Sequence, residues 1–242
     1  MEQVSCSLCN EMYWIVFILL FLAVTGFLIW ASACIGSGVY LKSYCRGNCT
    51  EKYVALTFDD GPSPMTGKVL DVLREHKAKA SFFLIGSKIR DDRETVRRIA
   101  DEGHIIGNHS WSHTPVFPIK SYADVVDEIR MTSDVIYETI GKRPELFRPP
   151  FGVTNPRIGR AVRRMGMSSI GWNVRSLDTV DGRSREDILE RITSQLRPGS
   201  VILLHDRCKD SDRLLHILLQ YIEENGYKVV TIEEMFNLKI YD

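Results

Sequence analysis

The 242-residue sequence predicts an α/β fold with a parallel sheet, preceded by an apolar N-terminal helix. Two patterns support this prediction. Short runs rich in β-branched and aromatic residues alternate with longer segments in which apolar residues recur about every 3.6 positions, as in βα units. At the N-terminus, residues 13–33 contain no charged side chain.

The apolar segment 13–35 is predicted to be a single-pass membrane anchor. About 20 helical residues cross a hydrocarbon core of ~30 Å, and Trp14 and Trp30 lie near its ends, where interfacial aromatic residues are enriched. Two alternatives remain open: cleavage at the small residues 31–33, and lipidation just after them. The short tail before the span, 1–12, has no Lys or Arg, whereas a secretory signal begins with basic residues. We therefore expect an uncleaved anchor.

The region after the span is interpreted as a linker and a folded domain. Residues 36–51 contain Gly, Ser, Asn and charged residues without an apolar period, and the domain follows as 52–242. Lys42, Arg46 and Lys52 lie just after the span, while the tail before it is acidic. By the positive-inside rule, this bias would place the domain in the cytoplasm.

Within the domain, the predicted strands cover residues 53–58, 80–85, 104–107, 146–147, 167–172, 201–204 and 228–231. Leu70, Val72 and Leu73 are predicted to belong to a helix, and residues 95–101 to lie in another. Further predicted helices cover residues 122–140, 156–165, 184–196 and 211–224. Asn155 followed by Pro156 is a typical helix start, and Ser184 with Asp187 has capping-box spacing. From Glu51 onward the chain has about 190 residues, fewer than the ~250 of a complete eight-stranded (β/α) barrel.

Composition excludes some classes of function. Lys and Arg total 31, as do Asp and Glu, so the formal net charge is zero. No basic excess is available for a phosphate backbone, which argues against a nucleic-acid partner. With 44% hydrophobic and 26% charged residues, the composition is that of a folded enzyme. A neutral polymer such as a polysaccharide is a better match to this charge.

Two groups of polar residues follow predicted strands. Asp59 and Asp60 come directly after the first strand, and His109 and His113 follow the strand 104–107. One carboxylate and two imidazoles suit a divalent metal such as zinc and leave positions open for catalysis. The histidines share a face if their segment is helical or tightly turned. Adjacent residues on a regular strand point in opposite directions, so one aspartate would bind metal while the other moves a proton, as in a hydrolase.

Three more polar or aromatic residues lie at the carboxyl ends of predicted strands: Arg148, Trp172 and His205. In a barrel of parallel strands these ends meet at one rim, where catalytic residues collect. Residues that are distant in sequence are therefore predicted to form one site.

These motifs resemble, in order and at plausible spacing, the five motifs of NodB-homology polysaccharide deacetylases, carbohydrate esterase family 4. They are Asp59-Asp60, His109 with His113, Arg-Pro-Pro-Phe-Gly at 148–152, Trp172 with Asp178, and Leu-His-Asp at 204–206. The resemblance covers residues 53–236. The resemblance implies a distorted, incomplete (β/α) barrel. It also implies an enzyme that removes N-acetyl groups from amino sugars of peptidoglycan, a chitin-like polymer or an exported glycan. Such substrates lie outside the membrane, so we expect an extracytoplasmic domain despite the charge bias.

The resemblance also implies how the metal and the base are held. Asp60, His109 and His113 would bind a divalent metal, with zinc favoured and cobalt, nickel or manganese as alternatives. Asp59 would act as the general base for the attacking water. Arg148 would orient Asp59 and keep it ionised.

The remaining motif residues are implied to handle the leaving group and the substrate. His205 would act as the general acid, with Asp178 raising its pKa and fixing its tautomer. The backbone N–H of Phe151 would bind the developing oxyanion. Trp172 would contact the substrate, and Leu204 would line a pocket for the acetyl methyl group.

The sequence departs from the family pattern at Arg175, where an acidic residue is usual, and at Thr179, where Trp is usual. Asp178 is retained, so these changes concern substrate specificity more than catalysis. Three other functions remain open: an O-acetyl esterase using the same site, a non-catalytic glycan-binding module, and another metallohydrolase such as a phosphodiesterase. The last is disfavoured because the sequence has no second cluster of metal ligands and no phosphate-binding loop. No partner protein is implied.

Overall fold

The computed structural model describes residues 2–242, with side chains from Met12 onward. Its strands are β1 (Ser43–Tyr44), β2 (Tyr53–Gly61), β3 (Ser81–Leu84), β4 (Ile105–Asn108), β5 (Leu146–Phe147), β6 (Ser168–Ile170), β7 (Val174–Arg175), β8 (Ser200–His205) and β9 (Lys228–Val229). Its helices are α1 (Glu2–Ala33), α2 (Thr66–Glu75), α3 (Gly86–Asp91), α4 (Arg93–Asp101), α5 (Tyr122–Ile140), α6 (Pro156–Arg164), α7 (Arg185–Gln195), α8 (Ser211–Glu224) and α9 (Ile232–Phe236).

The strands form one sheet in which each pair of neighbouring strands runs parallel. Their spatial order is β1-β6-β5-β4-β3-β2-β8-β7, and β9 pairs with the start of β2. Among the described residues, the end strands β1 and β7 do not pair with each other, so the barrel is incomplete. The predicted α/β fold, a distorted and incomplete (β/α) barrel, is confirmed.

Alternation along the strands separates two apolar cores. Ala55 and Val201 face the inside of the barrel and pack with Ile232 of α9. Their neighbours Leu56 and Ile202 face outward and pack beneath the surrounding helices. This alternation follows from the two-residue period of a strand. It leaves the carboxyl ends of the strands free to present polar side chains.

Several helices begin and end where the sequence predicts. The bounds of α5 are those predicted from its apolar period, with Val125 and Ile129 on its buried face. The Asn155 side chain accepts hydrogen bonds from two backbone N–H groups at the start of α6. Ser184 and Asp187 form a capping box at the start of α7. Local hydrogen-bonding chemistry therefore sets these ends.

The N-terminal helix contains one segment that could cross a membrane or serve as a signal sequence. Met12–Ala33 has 22 residues, and its most apolar stretch has a mean hydropathy of 2.6 and is only 6% buried. Of the expected tail, 1–12, Met1 lies outside the described residues, and the backbone from Glu2 continues α1. At its other end the helix contacts the domain, because Ala31 is buried and the backbone N–H of Thr154 donates to the Ser32 carbonyl at 2.9 Å.

The segment 36–51 differs from the linker expected at that position. Leu41 is buried, and Ser43–Tyr44 pair with β6 at the edge of the sheet. The Gly47 N–H donates to the Gly199 carbonyl at 2.8 Å. A strand of two residues is too short to produce an apolar period, which explains why the sequence pattern did not reveal it. Cys45 and Cys49 of this segment are free thiols.

The packing of segment 36–51 against α6 can be tested by substitution. A Cβ atom on Gly159 would collide with the backbone carbonyl of Tyr40, and backbone cannot move aside as a flexible side chain can. We expect Gly159→Ala to lower the free energy of unfolding by about 1–3 kcal/mol, as overpacking does. Gly67→Ala is the control, because its nearest neighbour is a flexible arginine terminus at 3.5 Å. Thermal denaturation showing equal stability for both variants would contradict this packing.

Candidate active site

The end of β2 presents both adjacent aspartates to the same cleft. The pairing register between β2 and β3 shifts between Asp59 and Gly61, and Asp60 has a φ of 71°. A bulge of this kind rotates one residue relative to a regular strand. Asp59 Oδ2 and Asp60 Oδ1 each lie 3.6 Å from Nε2 of His109. The expectation that the two carboxylates point in opposite directions is therefore wrong, although their contacts still give them different roles.

The two histidines lie on a tight turn after β4 rather than on a helix. Ser110 and His113 have φ values of 66° and 46°, which bring the two imidazole centroids to 4.6 Å. The carboxylate of Glu128 on α5 holds the turn by accepting hydrogen bonds from the backbone N–H of Trp111 and of Ser112. Of the two geometries left open by the sequence, a helix or a tight turn, the structure has the tight turn.

Asp60, His109 and His113 form a set that could hold one metal ion. Their donor atoms all lie within 4.8 Å of one another. The Nδ1 atom of His109 is 2.8 Å from the Arg148 carbonyl, which fixes its tautomer and leaves Nε2 available to a metal. Asp60 Oδ1 is buried without a hydrogen-bond partner among the described residues, as expected for an atom reserved for a cation.

The protonation of this set also suits a metal. Burial, together with the charge of His109, lowers the pKa of His113 to about 4. Burial raises the pKa of Asp60, but the two histidines and Arg207 outweigh it and lower the value to about 2. At neutral pH the site therefore offers a carboxylate and a neutral imidazole, the forms that bind zinc. The chemistry and arrangement of these donors fit the predicted divalent metal.

A buried ion pair holds the second aspartate. Arg148 is fully buried, and its Nη1 lies 2.6 Å from Asp59 Oδ1. The same guanidinium donates to the Thr57 hydroxyl and to the carbonyls of Ile170 and Gly171. The predicted contact between Arg148 and Asp59 is therefore present in the structure, and the partners of this guanidinium fix its position.

His205 and Asp178 form a second charged pair at the same rim. His205 lies beside Asp59 on neighbouring strands. Its Nδ1 is 2.8 Å from Asp178 Oδ1, and its backbone N–H donates to Asp178 Oδ2 at 2.7 Å. Burial lowers the pKa of His205, but the hydrogen bond and charge of Asp178 outweigh it, so the pKa is raised. His205 thus retains its proton to higher pH than an ordinary histidine.

Phe151 and Trp172 also line the cleft. Phe151 has a φ of 60°, and its ring lies 4.6 Å from that of His113. Gly152 has a φ of 70°, and a Cβ atom there would lie 2.5 Å from the Trp172 ring. The 148–152 loop therefore needs glycine at this position to pass close to the indole.

The cleft between these residues has a volume of about 670 Å³. Leu203, and not Leu204, lines it. Leu204 belongs to the outer core beneath the helices, so the prediction that it lines the acetyl pocket is wrong. The reason is strand alternation: Leu203 lies two residues before His205 and shares its face. Counting back from His205 in steps of two would have identified it from sequence.

Two cations at the cleft had no signal in the sequence pattern. Nε of Arg207 lies 2.8 Å from Asp60 Oδ2, which leaves Oδ1 as the free oxygen of that carboxylate. Lys88 Nζ donates to the Asp60 carbonyl at 2.7 Å. Both residues come from loop or helix positions with no motif of their own, and only the fold brings them to Asp60.

Comparison with known families identifies the domain. Residues 46–170, about half of the chain, match the family described as Polysaccharide deacetylase. The chain belongs to this family. The predicted resemblance is thereby confirmed, and the matched residues include Asp60, His109, His113 and Arg148.

Two curated relatives and one solved structure illustrate the similarity. A peptidoglycan N-acetylmuramic acid deacetylase of Bacillus subtilis is 36% identical over 78% of this chain and 40% of its own length. A peptidoglycan N-acetylglucosamine deacetylase of Listeria monocytogenes is 34% identical over 79% of this chain and 40% of its own length. The structure of Bacillus subtilis PdaA, a family 4 carbohydrate esterase, has a TM-score of 0.74 and 30% identity, covering 81% of this chain and 85% of that one. The chain thus spans less than half the length of the two curated relatives.

The ligand set predicts the effect of removing one donor. We expect His113→Ala to weaken zinc binding by more than about 100-fold, because losing a ligand exceeds the 10–100-fold effect of losing a ligand's hydrogen-bond partner. Zinc content after dialysis against buffered zinc measures this effect. His216→Gln is the control, since His216 contacts His76 and lies outside the cleft. Equal zinc content in both variants would show that His113 is not a ligand.

Proposed function

We propose that this chain is a metal-dependent N-deacetylase that removes acetyl groups from N-acetylated amino sugars of peptidoglycan. One observation carries the proposal: three donors for one metal lie between two charged pairs, Asp59–Arg148 and His205–Asp178, in a single cleft. Amide hydrolysis needs an activated water, a site for negative charge and an acid for the leaving amine. The names of the two curated relatives favour peptidoglycan as the glycan.

The metal would be held by Asp60, His109 and His113, and zinc is the ion we propose. When bound, such an ion lowers the pKa of water and polarises the substrate carbonyl. The chain contributes the arrangement of these donors. A hydrogen bond to the Arg148 carbonyl orients the His109 ring, and an ion pair with Arg207 orients the Asp60 carboxylate.

Asp59 is the proposed general base. Its Oδ1 is occupied by Arg148 at 2.6 Å, so Oδ2 remains to accept a proton from the attacking water. That atom already lies 3.6 Å from Nε2 of His109 and therefore beside the metal donors. The guanidinium keeps the carboxylate ionised until the proton is transferred.

His205 is the proposed general acid. Asp178 binds its Nδ1, so Nε2 is the atom that donates a proton to the departing amine. The backbone N–H of Phe151 is proposed to bind the oxyanion, an interaction worth about 3 kcal/mol in the transition state. Trp172 and Leu203 would then contact the sugar and the acetyl methyl group.

Two alternatives use the same residues differently. An O-acetyl esterase would release acetate from an ester with the same base and metal, without requiring protonation of an amine. The contact between His205 and Asp178 favours an amide substrate, because it equips His205 to protonate the departing amine. A non-catalytic glycan-binding module would have no need of the Asp59–Arg148 and His205–Asp178 pairs, both of which are present.

We further propose that α1 anchors the domain at the outer face of a membrane. The supporting contact is between the end of the apolar helix and the domain, where Ser32 and Thr154 exchange hydrogen bonds. Thr154 lies just after the 148–152 loop, so no spacer separates the helix from the catalytic rim. The glycan substrates lie outside the membrane, which decides the orientation that we propose.

Acetate release from peptidoglycan and from N-acetylglucosamine oligomers tests the activity. We expect the full chain in detergent to release acetate, to lose activity with a chelator, and to regain it with zinc. Acetylated xylan is the matched ester substrate. Release from acetylated xylan alone would replace the proposal with an O-acetyl esterase.

Asp59→Asn supplies the internal control for this experiment. The variant keeps all three metal donors, so we expect normal zinc content and a rate lowered by about 10²–10⁴-fold, the usual contribution of a general base. A near-normal rate would show that Asp59 is not the base.

The contact between His205 and Asp178 predicts that substituting Asp178 shifts the pH dependence of kcat. The rate falls as pH rises through the His205 pKa, because the protonated form is the acid. Asp178→Asn removes the interaction that raises this pKa and leaves burial, which lowers it. We expect the alkaline limb of the kcat profile to move to lower pH. An alkaline limb at the wild-type position would assign it to another group.

A further inference from the structure

The two departures from the family pattern lie at one place in the cleft. Arg175 and Thr179 both line its wall, near His205. Arg175 replaces an acidic residue and is exposed, with no ion pair among the described residues. Thr179 replaces a tryptophan and occupies much less volume. The wall is therefore more positive and more open than the family pattern would make it.

Thr179 also lines a second groove of about 460 Å³, which lies beside the cleft. The two cavities share Thr179 and Arg207, so they adjoin along this wall. A tryptophan at position 179 would fill space between them. The groove lies between the segments 178–185 and 207–211.

Cations without acidic partners line this groove. They are Arg183, Arg185 and Lys209, none of which forms an ion pair with a described side chain. Two of the three acids in the lining are already engaged: Asp178 with His205, and Asp210 with Arg213 at 3.8 Å. Asp181 is the third acid, so free positive charge exceeds free negative charge. In a chain with zero net charge, this concentration is a local feature.

We infer that the groove and Arg175 form a subsite for a carboxylate carried by the sugar next to the reacting acetamide. The inference rests on the proposed function and narrows its substrate class to N-acetylated glycans with acidic substituents. Guanidinium groups bind carboxylates in two-point contacts and remain charged at all physiological pH values. A neutral chitin-like oligomer offers these cations no partner. Where the stem peptide has been removed, the lactyl ether of N-acetylmuramic acid places a free carboxylate on the sugar next to an N-acetylglucosamine unit.

The test compares one oligosaccharide in two charge states. The acid form alternates N-acetylglucosamine and N-acetylmuramic acid with free lactyl carboxylates, and the neutral form has them converted to amides. We expect the full chain to prefer the acid form by about 10-fold in kcat/KM, as two or three exposed ion pairs would provide. Because such pairs are screened, the preference falls as salt rises.

Arg175→Gln with Arg183→Gln should reduce this preference to about 2-fold, as expected after the loss of two of the ion pairs. Lys68→Gln with Arg97→Gln is the matched control, since both residues are exposed on α2 and α4 and line neither cavity. Thr179→Trp should reduce the preference without changing charge. Equal rates on the two forms by the wild-type chain would overturn the subsite while leaving the deacetylase intact.

A binding measurement distinguishes an incorrect subsite assignment from an incorrect assignment of the deacetylase activity. Titration calorimetry with Asp59→Asn measures the affinity for both oligosaccharides without turnover. Tighter binding of the acid form would support the subsite even if acetate release failed, provided that Arg175→Gln with Arg183→Gln abolishes the difference. Equal binding of both forms would overturn it.

Discussion

The buried guanidinium of Arg148 is the interaction on which the site depends. It bonds to groups of β2 and β6 and to the residue after β6, and it lies over the Phe83 ring of β3 at 4.1 Å. The backbone carbonyl of Arg148 fixes the tautomer of His109. Removing the partner of a buried charge costs about 3–5 kcal/mol. Arg148 thus couples barrel packing, the proposed base Asp59 and the proposed metal donor His109, which makes the geometry of the rim a single unit.

The rim includes four of the non-glycine residues with positive φ. Asp60, Ser110, His113 and Phe151 are non-glycine residues with φ between 46° and 71°, and all four lie on the segments that build the cleft. Such conformations cost about 1–3 kcal/mol each and persist only where surrounding contacts impose them. Here the contacts include the carboxylate of Glu128 and the packing of Trp172. The rim is therefore preorganised by the barrel beneath it.

Local sequence was sufficient for several of the helices and strands and for the candidate donor residues. The bounds of α5, the Asn155 cap and the capping box of α7 depend on side chains within a few residues, which a pattern captures directly. The motif residues were recognisable because metal binding and proton transfer require particular chemical groups at strand ends. Parallel strands then bring those ends together regardless of the sequence distance between them.

Tertiary structure decided what local pattern could not. The bulge at Asp60 turned both aspartates into the cleft, and the pairing of 43–44 with β6 made a sheet edge from an expected linker. The position of Arg207 against Asp60 and the groove beside Thr179 exist only because distant loops meet. The sequence by itself determined which chemical groups are present and which strands carry them. Register, strand bulges and loop contacts, which depend on residues far apart in the chain, decided which of those groups touch.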